Sequence, residues 1–319
     1  MEIFRLTLSQ MLMMFVLIAV GFFLRKKSIL PDNAGTIFSK AETWIFVPAL
    51  SLYSMITKCT VENFSKDWKL MLYGLLLVSA AILVAYPLSR LFFKKEARKT
   101  YERQIYKYAL TFGNFGFMGN FIIRGIWGDE GYYKYALFCF FISICCNAWG
   151  LYVLIPKDQN AGLAANLKKG LITPPTLALV AGIVLGLLGA KDFMPSFLLN
   201  AFNEASKCQG PVAMVLAGFV IGGYNLKDMV TNKKVYTATG LRLVVLPAVM
   251  MVALKLLGTS DEIMRMALIC FATPLGLNTI VYPAAYGGET KTGAAMAMVS
   301  HTLSVITIPL MYLLFIEVL

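Results

Sequence analysis

The sequence predicts an all-α membrane protein of about ten transmembrane helices, arranged as two inverted five-helix repeats with broken, crossing fourth and ninth helices. Three observations carry this prediction. Of the 319 residues, 58% are hydrophobic and only 14% charged, and apolar runs recur from one end to the other, a pattern foreign to a soluble globule. Basic residues gather in alternate loops, as the positive-inside rule requires of a multi-pass protein. Two hydrophobic segments about 160 residues apart, Ala109–Gly125 and Ala267–Ala285, are interrupted at mid-length by glycine, asparagine or proline.

The first apolar run, 7–24, has Glu2 ahead of it, Arg25, Lys26 and Lys27 behind it, and no small-x-small cleavage site. It is expected to be a retained spanning helix, not a signal peptide. Runs long enough to cross about 30 Å of hydrocarbon follow at 36–56, 70–93, 107–125, 131–155, 174–190, 209–224, 238–257, 264–285 and 292–318. The second carries Lys40 and Glu42 near its start, and both are expected to snorkel out of the helix end. Pro48, Pro87, Pro211 and Pro247 fall inside spans, where each removes one helical hydrogen bond and bends the chain. Pro48 and Pro211 are candidates for a gating role.

The net charge of +12, from 29 Lys and Arg against 17 Asp and Glu, raises the question of nucleic acid, and its distribution argues against that partner. The basic clusters are Arg25–Lys27, a run from Arg90 through Lys94, Lys95, Arg98, Lys99 and Arg103 to Lys107, then Lys157, Lys168 and Lys169, and Lys227, Lys233 and Lys234. The intervening loops hold fewer basic residues and most of the loop acids. An outside N-terminus makes every cluster cytoplasmic, and ten spans bring the C-terminus outside too, in a cell (inner or plasma) membrane.

Of six cysteines, Cys139, Cys145, Cys146 and Cys270 lie in apolar spans and are expected to be reduced packing residues. Cys59 and Cys208 fall on the outer side, and a disulfide between them is left open, since spacing alone does not fix geometry. One histidine and no H-E-x-x-H or G-x-S-x-G motif point away from an enzyme, a metal site or a cofactor.

Gly21, Pro31, Pro48, Pro87 and Gly116 line up with Gly186, Pro195, Pro211, Pro247 and Gly276 at offsets drifting only from 165 to 160. Five landmarks in order indicate duplication, and an odd number of helices per copy makes the second copy inverted. The expected organisation is a first repeat over 1–156, a short cytoplasmic linker over 157–173 and a second repeat over 174–319.

The fourth span has Gly113, Gly116 and Gly119 within seven residues, each costing a helix about 1 kcal/mol relative to alanine. A small-residue packing face accounts for glycines alone. Asn114 and Asn120 beside them favour an unwound segment whose amides meet freed backbone groups or a polar ligand. The ninth span has Thr273, Pro274, Asn278, Thr279 and Pro283, a firmer signal because proline cannot donate. Two crossing breaks bring half-helix N-termini together, whose dipoles and free N–H groups favour an anion. The candidate substrate-binding residues are Asn114, Gly116, Gly119, Asn120, Thr273, Pro274, Asn278 and Thr279. His301, in the tenth span, is either a neutral histidine held by a backbone carbonyl or a proton-sensitive coupling element. Arg124 and Arg242 are expected to snorkel, with contact to substrate as the alternative. No acidic residue is expected at mid-membrane.

N-F-G-F-M-G at Asn114–Gly119 and T-P-L-G-L-N at Thr273–Asn278 resemble the crossover motifs of the auxin efflux carrier family. Pro48-Ala-Leu, T-P-P-T-L-A at Thr173–Ala178 and T-L-S-V-I-T-I-P at Thr302–Pro309 are similar to its second, sixth and last helices. The resemblance implies a secondary transporter with a scaffold and a crossover-bearing transport part, moving organic anions such as auxin in plants and malate or malonate in bacteria. It also implies that Asn114 and Asn278 hold the substrate carboxylate. The chain departs from the family where Phe121 replaces a usual proline, and its short 156–174 loop fits a bacterial type. The sodium-coupled bile-acid symporter plan is similar, so the coupling ion, proton or sodium, stays open, as does a homodimer. A channel or receptor fits less well.

Overall fold

Hydrocarbon offers backbone N–H and C=O groups no partners, so a chain within it satisfies them inside helices. The computed structural model describes residues 1–93, 100–156 and 162–318, and they are almost entirely helical. Their one extended feature is an isolated antiparallel bridge between Gly113 and Leu275. The helices are α1 (Glu2–Lys26), α2 (Ala34–Ala41), α3 (Val47–Lys58), α4 (Val61–Asp67), α5 (Lys69–Arg90), α6 (Tyr101–Thr111), α7 (Asn120–Phe138), α8 (Phe140–Leu154) and α9 (Leu163–Leu171). They continue as α10 (Pro174–Leu187), α11 (Ser196–Gly222), α12 (Leu226–Val230), α13 (Lys233–Gly240), α14 (Leu246–Leu256), α15 (Asp261–Ala272), α16 (Asn278–Ala285) and α17 (Lys291–Tyr312). Among the described residues, five helical stretches are long and apolar enough to cross a membrane, or seven if each of two bent helix pairs is one span. Large apolar side chains point outward, such as Leu12 and Val16 on α1, Leu76 and Leu83 on α5, and Val249 and Val252 on α14. Each costs free energy in water at about 25 cal/mol per Å² and none in lipid. The protein is multi-pass.

Glycines decide which helices meet. A Cβ on Gly21 would overlap the Val215 carbonyl, and one on Gly218 the Ile18 carbonyl, so α1 and α11 pack backbone against backbone. Gly182 and Gly186 do the same for α10, against Met55, Ser51 and Cys59 of the α3 end. Lipid is as apolar as leucine, so close approach of backbones replaces the hydrophobic effect as the adhesive. Gly21→Ala and Gly218→Ala are expected to cost about 1–3 kcal/mol each through overpacking, seen as a lower melting temperature in detergent. Gly240→Ala, which meets nothing within 4 Å, should leave the melting temperature unchanged or raise it, and an equal loss there would refute the packing account.

Two prolines set two π-helical turns. Pro48 and Pro247 have no N–H to give, and one residue before each the ladder slips to five-residue bonds, with the Val47 N–H donating to the Glu42 carbonyl and the Leu246 N–H to the Leu241 carbonyl. The π turns 42–46 and 241–245 result. Such turns re-aim side chains and concentrate at functional positions. Here they turn Glu42 and Arg242 fully inward, at 0% and 1% exposure. That corrects two expectations: Lys40 is exposed as a snorkelling charge should be, but Glu42 and Arg242 are not.

Residues near both ends of the chain lie together: the Met1 amino group pairs with the Glu317 carboxylate, which also accepts the Phe4 N–H at 3.2 Å. The segment expected to be a plain linker contains α9, packed through Gly170 against Ala148 of α8. Cys59, buried, and Cys208, exposed, are both free thiols. Lys94, Lys95, Arg98, Lys99 and Lys157 of the expected basic clusters lie outside the described residues.

Candidate functional site

Gly113 is where the first interruption happens. After α6 ends at Thr111, Phe112 is extended (φ −115°, ψ 130°), and Asn114 (φ −82°, ψ 45°) leads into a π turn over 115–119 that runs on into α7. The break occurs with Phe121 in place of proline, because a glycine with no Cβ can approach another backbone. A Cβ on Gly113 would stand 2.6 Å from the Thr273 carbonyl oxygen and 2.8 Å from an Arg242 guanidinium nitrogen. Phe121 instead lies where a Cβ on Gly210 would be, beside Pro211 within α11. The second interruption, Thr273–Leu277, separates α15 from α16.

The two breaks cross, the first bonded to the second and the second to α17. The Asn114 N–H donates to the Pro274 carbonyl at 2.7 Å, and the Leu275 N–H donates to Ser300 Oγ at 3.0 Å. Buried backbone groups that would otherwise cost several kcal/mol each are thereby paired. At the second segment the Thr279 and Ile280 N–H groups turn back to the Gly276 and Leu277 carbonyls at 3.2 and 2.8 Å, so helix geometry leaves the Asn278 N–H there and the first N–H groups of the segment starting at Phe115.

Both of these N-termini border one cavity of about 320 Å³, walled by Phe115, Gly116, Asn120, Leu277 and Asn278 among others. The volume suits a small organic molecule. Two asparagines, one per break, reach it. Asn278 Nδ2 donates to the Tyr108 hydroxyl at 2.9 Å. Asn114 Nδ2 lies 3.2 Å from His301 Nε2, while His301 Nδ1 lies 2.7 Å from the Ala297 carbonyl. A carbonyl only accepts, so Nδ1 carries a proton. The state of Nε2 and the orientation of the Asn114 amide are set together: a neutral ring accepts the Asn114 Nδ2–H at Nε2, and a protonated one gives Nε2–H to the amide oxygen.

The sequence-predicted residues divide. Asn114, Gly116, Asn120 and Asn278 line the cavity, and His301 stands behind Asn114. Gly119 is buried against the Tyr135 hydroxyl. Thr273 gives its hydroxyl to the Cys270 carbonyl at 3.1 Å, Thr279 gives its own to Gly276 at 2.9 Å, and Pro274 offers only its carbonyl to Asn114. These four build the crossing without reaching the cavity wall. Arg124 pairs with Asp129 at 2.8 Å, half-buried and short of the cavity. Pro48 lies just past a π turn and Pro211 inside α11, neither on the wall.

Sequence reasoning missed Ser39, Thr43 and Ser51 of the second span, and Asn147, whose Oδ1 accepts the Tyr282 hydroxyl at 3.0 Å. It also missed the buried charges. Glu42 faces the Gln209 side chain, with no partner within 3.5 Å on either carboxylate oxygen, and neither Nε nor one terminal nitrogen of Arg242 has one. An ionisable residue inside a hydrophobic run is by default a functional candidate. That signal was available for both residues and was outweighed by their nearness to helix ends.

The sequence profile of the family described as "Membrane transport protein" matches residues 6–312. The chain belongs to that family, the auxin efflux carrier type. It is 24% identical over 315 residues to "Uncharacterized transporter YfdV" of Escherichia coli (strain K12), covering 95% of this chain and 96% of that protein. It is also 24% identical over 303 residues to "Uncharacterized transporter MJ1031" of Methanocaldococcus jannaschii, covering 94% and 96% respectively. Both are similar along their whole length, so the crossing lies within the shared region.

Proposed function

We propose that this member of the membrane transport family is a secondary transporter for small organic anions, carboxylates of the size of malate, malonate or an auxin-like acid. The observation that carries the reading is the crossing of two helix breaks beside a cavity of about 320 Å³, with a half-helix N-terminus and an asparagine from each break. N-terminal dipoles favour negative charge there, and Arg242, buried behind Gly113, adds a full positive charge whose effect is strong at low dielectric. A cation already in place behind the crossing favours an anionic cargo and disfavours a sodium ion bound beside it.

Ten helices in two inverted repeats are supported by the pairing of elements. Gly128, at φ 65° and ψ −157°, breaks α7 in two, so counting α2–α3, α6 with the first half of α7, the second half of α7 with α8, α13–α14 and α15–α16 as interrupted spans gives ten with α1, α5, α10, α11 and α17. The first and seventh spans pack through glycine, and so do their expected mates, the sixth and second. The repeats are assigned to 1–156 and 174–319, with α9 between them. Juxtaposed ends support an even number of crossings, and the alternating basic loops favour the outer side of the cell membrane for both.

Movement of the crossing-bearing bundle against the scaffold of α1, α3, α10 and α11 would expose the cavity alternately. Saturable counterflow in liposomes tests it: preloading with unlabelled malonate, malate or indole-3-acetate should accelerate uptake of the same labelled acid. Uptake that is linear in concentration and indifferent to preloading would mean a channel instead.

A further inference from the structure

We infer that His301 binds the coupling proton and that Asn114 transmits it to the anion, making this a proton–anion symporter. The inference rests on the proposed anion site and concerns which ion travels with the cargo. With the ring neutral, Nδ1–H is committed to the Ala297 carbonyl and Nε2 takes an N–H from Asn114. An amide that gives its Nδ2 to the ring turns its Oδ1 the other way, so the crossing offers an acceptor where a carboxylate needs a donor. A proton from water on Nε2 makes that nitrogen a donor. The Asn114 amide must then rotate by half a turn, giving Oδ1 to the imidazolium and Nδ2–H to the cavity. Carboxylate and proton thus enter together, and the proton returns to water when the anion leaves on the other side.

The second asparagine has no such lock. Asn278 faces the Tyr108 hydroxyl, which donates or accepts as needed, so its amide turns over without any change of protonation. Only the Asn114 side reads the proton. Of the groups on α17 and on the elements packed against it, the buried charges are Arg242 and Lys107 and the buried titratable neighbours are Tyr106, Tyr108, Cys270 and Tyr312. The carboxylates of α1, α6, α11 and α15 are exposed or half-buried, and that of Glu317, in the π turn after α17, is half-buried and paired with the Met1 amino group. The buried carboxylate Glu42 packs with its π turn on α11. Among those elements' described residues no buried carboxylate is present to neutralise an imidazolium, so the incoming anion supplies the counter-charge.

Titration calorimetry of the purified protein with malonate, in two buffers of different ionisation enthalpy and above the pH range where malonate itself titrates, tests this. Wild type should take up close to one proton per bound malonate, and affinity should fall about tenfold per pH unit on the alkaline side. His301→Gln, which keeps a hydrogen-bonding amide but cannot titrate, should bind with no proton uptake and a flat pH profile, while Glu42→Gln should retain uptake. Malonate binding without proton uptake in wild type, or uptake that survives His301→Gln and disappears in Glu42→Gln, overturns the inference and leaves the anion site standing. If malate, malonate and indole-3-acetate all fail to bind, the anion reading itself falls and the symport inference with it.

Discussion

Asn114→Ala and Asn278→Ala should each weaken carboxylate binding by roughly 10- to 100-fold, since a hydrogen bond to a charged group contributes about 1.5–3 kcal/mol. The readout is the shift in melting temperature that malate, malonate or indole-3-acetate confers on purified protein. The two losses differ in kind. Asn278 is anchored to Tyr108 at 2.9 Å, and its removal should lower affinity equally at all pH values. Asn114 is anchored to His301, and its removal should lower affinity and remove the pH dependence together. Fold stability gives a control, because alanine at 114 leaves the Asn114 N–H bonded to the Pro274 carbonyl. A variant whose ligand-induced shift matches wild type at either position would show that the crossing does not hold the anion.

Arg242→Met is expected to act in opposite directions on stability and binding. Arg242 is 1% exposed, two of its guanidinium nitrogens lack partners, and the guanidinium lies 5.8 Å from the centroid of the Phe271 ring. Burying a charge without an ion pair costs several kcal/mol, so an apolar residue of similar length should raise the ligand-free melting temperature. The same change removes the positive charge beside the crossing and should weaken anion binding about tenfold or more, each 1.4 kcal/mol of lost attraction being one such factor. Arg242→Lys keeps the charge and should keep most of the affinity. If Met and Lys bind malonate equally well, the charge does not contribute to the site and Arg242 serves packing alone.

Much of the architecture was legible because membrane proteins declare themselves through composition. Apolar runs, alternating basic loops and broken segments identify the helices and the two places where helix gives way. Asn114, Asn120 and Asn278 stand out in the sequence as amides beside a break, the resemblance to the auxin efflux carrier family singles out Asn114 and Asn278, and all three line the cavity. Gly119, Thr273, Pro274 and Thr279 were drawn into the same site by proximity in sequence, and the fold uses them for the crossing itself. Glu42 and Arg242 were misplaced for one reason. A helix end in sequence is a surface only if the helix runs straight to it, and the π turns before Pro48 and Pro247 rotate both residues inward.

By itself, then, the sequence determined that this is a multi-pass helical membrane protein with two interrupted segments, since hydropathy and backbone satisfaction are local properties summed along a chain. Only the tertiary structure decided that Gly113 meets Leu275, that Asn114 is held by His301, and that Arg242 lies buried behind the crossing with no ion pair among the described residues. Those facts depend on contacts between residues up to 187 positions apart, where sequence spacing carries no geometry and a single hydrogen-bond direction sets which end of an amide the cavity sees.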